Sequence, residues 1–578
     1  MSPARAVLAA ALLAAVGGDW RVRLVDVAEP AGLTRVSVYG GLERKRFITE
    51  TNGAGVAWID YDNDGWVDAL VLSGTRLEDT SRKERSWPAG EAPTNRLYRN
   101  NHDGTFADAT DKTGLRRTGW ASAVCAGDYD NDGWLDLFIT SYGQNVLYHN
   151  REGRFEDVTA AAGLATRGTR WGSGCSFVDY DRDGKVDLFV ANYLVLDLQA
   201  APEPGQGASC LWKGIPVNCG PKGLPTDTNL LYHNEGDGRF RDVSEQSGIA
   251  KVKGRYAMTA TAADLDGDGW VDLYVACDTT AAILYRNNHD GTFSDVALAS
   301  GVAFSEFGNE QAGMGLGVGD FDGDGQLDLF KTHFADDIPA LYRNLGRGQF
   351  EDVAMASGLG VQNHYVQWGA GAADLDNDGK PDVFYATGNV YPEIEALMPQ
   401  YPHRSPKIVF RNLGDGRFED VSARSGPGAT TPRSSRGVAF GDYDNDGDLD
   451  VLVMNMNERP SLLRNDYDGG NGWLMVRLQG VRSNRAGLGA TVVVTSGGRQ
   501  QARAALSQSS YYSHDDLRLH FGLGAARAAD LVEVRWPSGA VDRLRDVAGR
   551  RLVTVREGEA PAPAEGVAPP GPAGRGRY

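Results

Sequence analysis

Seven times along the chain, four aspartates fall within nine residues in the order DxDxDGxxD. The copies are Asp60, Asp62, Asp64 and Asp68; Asp128, Asp130, Asp132 and Asp136; Asp179, Asp181, Asp183 and Asp187; and Asp264, Asp266, Asp268 and Asp272. Three more follow: Asp320, Asp322, Asp324 and Asp328; Asp374, Asp376, Asp378 and Asp382; and Asp442, Asp444, Asp446 and Asp450. Carboxylates at loop positions one, three, five and nine converge on one point when the chain winds around it, and the glycine after position five permits the winding. A position-seven carbonyl, that of Trp66 in the first copy, adds a ligand. Hard oxygen donors in this number suit Ca²⁺, whereas Zn²⁺ would call for Cys or His, so the expectation is up to seven Ca²⁺. The competing reading is ordinary polar turns, where Asp is common; it leaves four like charges in nine residues without a cation. The 28 loop aspartates exceed the whole net charge of −19, so the acidity reads as ligand chemistry, and a charge of that sign argues against a nucleic-acid binder.

The elements around the loops decide between calcium architectures. A helix-flanked EF-hand or dockerin-like loop needs a bidentate Glu at position twelve. Here that position holds Val71, Ile139, Val190, Val275, Lys331, Tyr385 and Val453, and β-like runs such as VDALVLS and LDLFITS follow the loops. Each unit offers four strand-like segments, as in ASAVCAGD, WLDLFITS, NVLYHN and GRFEDVT, with short turns such as NNHDG joining the third to the fourth. Seven such units predict an all-β chain folded as a seven-bladed β-propeller. The segment RVRLVDVAEPAGL, residues 21–33, copies the end of a unit, while the seventh unit stops at Asn465 without a fourth strand. The N-terminal strand is therefore expected to complete blade seven and close the ring.

These repeats resemble FG-GAP/VCBS repeats, similar to the calcium-loop blades of integrin α propellers. The following segment, NGWLMVRLQG…SNRAGLGATV…LHFGLG…VEVRWPSG, resembles the ASPIC/UnbV domain. Together, over roughly residues 20–557, they are similar to the cartilage acidic protein-like family, which implies a calcium-binding extracellular protein without a common activity. One departure is Tyr511-Tyr512-Ser513, where members of the family read closer to GY-(L)-S. The organisation expected is a leader over 1–18, the propeller over 19–465, an ASPIC/UnbV domain over 466–557 as a small β-barrel or sandwich, and a disordered Pro/Ala/Gly-rich tail over 558–578. The C-terminal domain has 13 Arg against 9 acidic residues, which reads as a solvated surface docking on the acidic propeller.

Long insertions, 74–94, 193–228 and 386–406, all fall between second and third strands, at the end of the blades opposite the acidic loops. Insertions gathered on one face mark a binding face. Blade-to-blade connections there carry Trp120, Arg170, Trp171, Tyr256, Glu310, His364, Trp368 and Arg436, candidates for stacking on a sugar or anchoring a protein partner. The alternative for a Trp that begins an inner strand is blade packing. His102, His149, His233 and His289 recur in the hairpin regions and read as surface substitutions; His333, His364 and His403 are expected nearer the insertions. HExxH, P-loop, GxSxG and CxxCH signatures are missing. The reading is a non-catalytic binding or adhesion module for a glycan or protein ligand, with a carbohydrate-active hydrolase or lyase on the insertion-bearing face as the alternative.

The apolar run Ala6–Val16 after Arg5 fits a signal-peptide h-region and is too short to span a bilayer, so export to the periplasm or the exterior is expected. In an oxidising compartment Cys210 and Cys219, nine residues apart, are expected to form a disulfide. Cys125, Cys175 and Cys277 lie in apolar runs and read as buried thiols, with a Cys125–Cys175 bond as the alternative.

Overall fold

A computed structural model of the chain describes residues 20–559, except 89 and 167. The expected leader lies outside the described residues, as does the expected tail from 560 onward. Among the described residues no helix is long and apolar enough to cross a membrane.

The repeats become antiparallel sheets because each apolar run has the length of one strand and is bounded by Gly-, Asn- and Asp-rich turns. Blade one pairs Val56–Ile59, Asp68–Val71, Arg96–Asn100 and Phe106–Asp108 in that order. The same order recurs to blade six, Gln367–Ala373, Asp382–Thr387, Ile408–Gly414 and Arg417–Asp420. Blades two and three are fused at one end, where Arg170 and Trp171 pair with Gly143 and Tyr142. Blade seven takes its three inner strands from Ser435–Gly441, Asp450–Asn455 and Ser461–Asn465, and its outermost from the N-terminal Leu24–Asp26. Leu24 pairs with Asn465 and Asp26 with Leu463, so the ring closes as expected. Each inner strand packs on that of the next blade, and the seventh on the first.

The C-terminal strands make two sheets over one apolar core that includes Leu474, Val492, Phe521, Val532 and Trp536. One is a three-stranded sheet in which Gly472–Gln479 runs antiparallel to Leu519–Gly524 and parallel to Leu552–Arg556. The other is four-stranded and antiparallel, from Arg499–Ala504 through Thr491–Ser496 and Ala528–Arg535 to Val541–Ala548.

A propeller leaves seven inner strand edges facing its axis, and their backbone donors need partners. Residues 505–518 of the C-terminal unit enter the axis and supply them. Trp58 N–H donates to the His514 carbonyl at 3.1 Å, Val124 N–H to the Tyr512 carbonyl at 3.0 Å and Leu316 N–H to the Ser510 carbonyl at 2.8 Å. The Gln508 side-chain oxygen accepts from Cys175 N–H at 3.3 Å and Ala260 N–H at 3.2 Å. Asp515 accepts from Phe440 N–H at 2.8 Å, and Arg503 donates to the Ala372 carbonyl at 2.8 Å. Six inner strands donate to residues 505–518 in this way, and the sixth blade is held instead by Arg503, just outside that segment, through its Ala372 carbonyl. Gly55 is required beside the plug: a Cβ there would lie 1.7 Å from the Tyr512 carbonyl oxygen. The Tyr511-Tyr512-Ser513 turn, an unexplained departure at the level of sequence, is this plug.

At the opposite end the insertions pack on one another. Arg82 donates to the carbonyls of Leu198, Gln199 and Ala201 at 2.7–2.8 Å, and Arg46 and Arg82 both reach Glu203, at 3.1 and 2.9 Å. Cys210 and Cys219 are bonded, and they brace a two-residue hairpin turned at Lys213 and Gly214, both with positive φ. Cys125, Cys175 and Cys277 are buried free thiols.

Candidate metal centres

Each acidic loop is wound by two left-handed residues. Position four, Asn in four copies, Gly in two and Arg182 in one, has φ between 55° and 78°; the position-six glycine has φ between 83° and 95°. Gly carries that conformation without a steric penalty and Asn tolerates it, which is why these types recur there.

The four carboxylates of a loop have two duties. The first and ninth are held by backbone amides. Asp60 accepts from Asp64 N–H and Gly65 N–H, both at 3.0 Å, and the Gly-to-Asp bond recurs in all seven copies at 2.8–3.2 Å. Asp68 accepts from Asn100 N–H at 2.8 Å and Tyr61 N–H at 3.3 Å, and Asp450 accepts likewise from Asn465 and Tyr443. The third and fifth face outward, and in blades one and six a third-strand arginine reaches them. Arg99 reaches Asp62 at 2.7 Å and Asp64 at 2.9 Å, and Arg411 reaches Asp376 at 3.0 Å.

Burial pushes Asp60 up to about 6 and Asp68 up to about 8, with neighbouring carboxylates adding to the rise. Asp128 rises to about 7, Asp179 to about 8 and Asp320 to about 7 for the same leading reason, and Asp374 and Asp442 are also raised. Ionised carboxylates in such a cluster need positive charge beyond one arginine. Buried oxygens without partners remain at Asp62, Asp179 and Asp444. The orphaned oxygens, the hard donor set and the wound backbone fit Ca²⁺; positions one, three, five and nine would hold it, and when bound it would supply charge neutralisation and a rigid loop.

His102 and His289 are exposed, as expected of surface positions, whereas His149 and His233 are drawn into the fold. His102 stacks on Trp66 at 4.8 Å and bonds Asp64 at 2.9 Å, and His289 repeats this with Trp270 and Asp268. His149 and His233 occupy the third-strand position that carries arginine in the other five blades (LYHN against LYRN), a substitution legible in the sequence. Sequence reading also missed the asparagine that follows. The side-chain amides of Asn100, Asn150, Asn234, Asn287, Asn344, Asn412 and Asn465 each donate to a loop carbonyl of the preceding blade, at 2.8–2.9 Å.

The C-terminal unit docks on this loop-bearing face, as the opposite charges suggested. Arg518 donates to the Asp442 carbonyl at 2.7 Å, Ala502 N–H to Asp320 at 3.2 Å and Arg485 N–H to Asn131 at 2.7 Å.

The candidate ligand residues do not form one open site. Trp120, Trp171, Tyr256, Trp368 and Arg436 are buried. The Arg436 guanidinium lies 4.0 Å from the Trp368 ring and donates to the Thr51 carbonyl, and Trp171 donates to Ser122. Tyr256 donates to the Leu224 carbonyl at 2.8 Å. Arg170 pairs with Asp227, Glu310 with Lys222, and His364 packs on Tyr365. Aromatics buried in this way serve blade packing. The aromatic group the structure does assemble there is Trp212, Tyr401, Tyr391 and Phe334, with Trp212 and Tyr401 5.0 Å apart and the Lys213 ammonium 4.9 Å from the Tyr401 ring.

Blades closed by acidic loops around an axis plugged from a C-terminal β unit define the class. The FG-GAP-like repeat family matches residues 87–139, 128–190, 223–275, 264–330 and 402–453, and the ASPIC and UnbV family matches 480–562. The chain carries FG-GAP-like repeats followed by an ASPIC and UnbV domain. It is similar to cartilage acidic protein 1 of Mus musculus, 26% identical over 530 residues that make up 87% of this chain and 73% of that one. The Homo sapiens protein of that name is 25% identical over 467 residues, 76% of this chain and 63% of its own. Among solved structures, the Dos1 propeller aligns with 85% of this chain and all of its own at 10% identity and a TM-score of 0.35.

Proposed function

We propose that the chain is an exported, calcium-stabilised binding module whose ligand, a surface glycan or another exported protein, docks on the insertion-bearing end. The observation that carries this reading is the division of the two ends. The C-terminal unit covers the acidic-loop end and fills the axis, which leaves the insertions as the free end. There the Cys210–Cys219 hairpin holds the half-buried Trp212 against Tyr401, with Lys213 and Asp336 exposed beside them. An aromatic face rimmed by a cation and a carboxylate stacks on a sugar ring or anchors a protein hot spot. Calcium in the loops stiffens the blades and takes no direct part in recognition.

The test is a glycan and cell-surface polysaccharide array run in Ca²⁺ and again in EGTA, with a pull-down from the exported proteome beside it. Binding that Trp212→Ala removes, with the melt unchanged, supports the site. Binding that survives Trp212→Ala and Tyr401→Ala together overturns it.

A further inference from the structure

In five blades the third-strand position facing the acidic loop is Arg99, Arg286, Arg343, Arg411 or Arg464. A guanidinium is a counter-charge and cannot ligate a metal. In blades two and three the position is histidine, and the geometry changes with it. His149 Nδ1 is hydrogen-bonded to Asp136 Oδ1 at 3.1 Å and lies 3.5 Å from Asp130 Oδ2. His233 Nδ1 lies 3.1 Å from Asp187 Oδ1 and 3.4 Å from Asp181 Oδ2. Arg99 spans the third and fifth carboxylates, whereas each imidazole nitrogen sits between the third and the ninth.

Two further observations point to a ligand. Asp179 is only 2% exposed and its Oδ1 has no partner, and carboxylate oxygens of Asp179, Asp181 and Asp183 lie within 4.8 Å of one another beside the His233 ring. The rings are also held in place. Tyr129 packs edge-on against His149 at 5.7 Å and Tyr180 against His233 at 6.2 Å, the kind of outer contact that orients a metal-ligating imidazole.

Resting on the reading of these loops as metal centres, we infer that blades two and three form Asp–Asp–His sites for a first-row transition-metal ion of the Zn²⁺ class, while the other five loops keep the all-oxygen set suited to Ca²⁺. Two ligand atoms about 2.1 Å from an ion and subtending 90–110° stand about 3.0–3.4 Å apart, close to the spacings seen here. Bonds of about 2.4 Å, as Ca²⁺ prefers, would put them about 3.4–3.9 Å apart. An imidazole nitrogen adds affinity for Zn²⁺ or Co²⁺ and little for Ca²⁺.

The test uses the full chain, stripped with chelator and dialysed against excess Ca²⁺ with limiting Zn²⁺, and reads both metals by mass spectrometry. The expected result is two Zn²⁺ per chain retained against Ca²⁺. His149→Arg and His233→Arg each remove one, and the double variant removes both while Ca²⁺ at the other five loops is kept or added to and the melt persists, since arginine is the residue five blades already carry. Substitution by Co²⁺ should give a visible ligand-field band that the double variant lacks. Wild type retaining no Zn²⁺ over Ca²⁺, or the double variant retaining as much as wild type, overturns the inference. Failure of the calcium reading would show separately, as no Ca²⁺ bound to either protein.

Discussion

The side-chain amide of Asn100 in blade one donates to the backbone carbonyl of Tyr443 in blade seven, 2.8 Å away across the seam where the ring closes. Its second N–H goes to the Val67 carbonyl at 3.1 Å, and its backbone N–H goes to Asp68. One residue therefore ties its own acidic loop to the loop of the neighbouring blade, and the equivalent asparagine does so at all seven junctions. Loop order and blade packing are consequently coupled around the whole ring.

Replacing Asn100 with Ala leaves two buried carbonyls without that donor. The expected loss is about 1–3 kcal/mol, read as a lower denaturant midpoint. Asn287→Ala, at an interior junction, should cost a similar amount, and a neutral outcome at both sites would contradict the coupling.

Calcium removal should lower Tm. An ion that binds the folded loops and not the unfolded chain contributes about 2.7 kcal/mol per site at a hundredfold excess over Kd. EGTA should lower the melting temperature, and added Ca²⁺ should restore it; a melt indifferent to both would refute the calcium reading.

The N-terminal strand should be indispensable. Leu24 is fully buried, in the cluster that includes Leu463 and Val451. Leu24→Ala should cost about 2–5 kcal/mol by cavity formation, and deletion of residues 20–33 should cost more by exposing the outer edge of blade seven. A truncated chain that melts with the full one would show that the ring does not depend on this closure.

The plug should be a stability element. Gln508, buried on the axis, accepts from blades three and four through one oxygen. Gln508→Leu orphans both amides and should destabilise by about 2–4 kcal/mol in denaturant unfolding, with secondary structure retained.

Asp515 should give the plug a pH dependence. Burial pushes its carboxyl up to about 6 from an ordinary value of 3.8, with the bond from Phe440 N–H opposing the rise. A raised acid favours the protonated folded state, so its contribution is fullest below pH 4 and is lost as pH rises through 6. Asp515→Asn, compared with wild type in saturating Ca²⁺, should flatten stability between pH 4 and 6; parallel curves would refute the assignment.

Much of this was readable from residue order. The nine-residue pattern of aspartates, the glycine after its fifth position, the four strand-like runs per unit and the displaced unit end at 21–33 are local patterns, and local patterns follow from backbone geometry within one repeat. The candidates around the far face were less so. Trp120, Trp171, Trp368 and Arg436 stand where an exposed binding residue would stand, and contacts with distant segments such as Tyr39, Tyr193, Tyr511 and Thr51 made them interior. The role of His149 and His233 depends on a third strand folding back over a loop 13 and 46 residues away from it. The path of residues 505–518 through the axis joins groups that, like Trp58 and His514, are separated by more than 450 positions. Repetition along the chain specifies blades, because the strand-to-strand pairing inside each blade joins neighbouring segments of sequence. What fills the axis, what covers each end and which side chain faces each carboxylate depend on contacts between distant segments, and those exist only once the ring has closed.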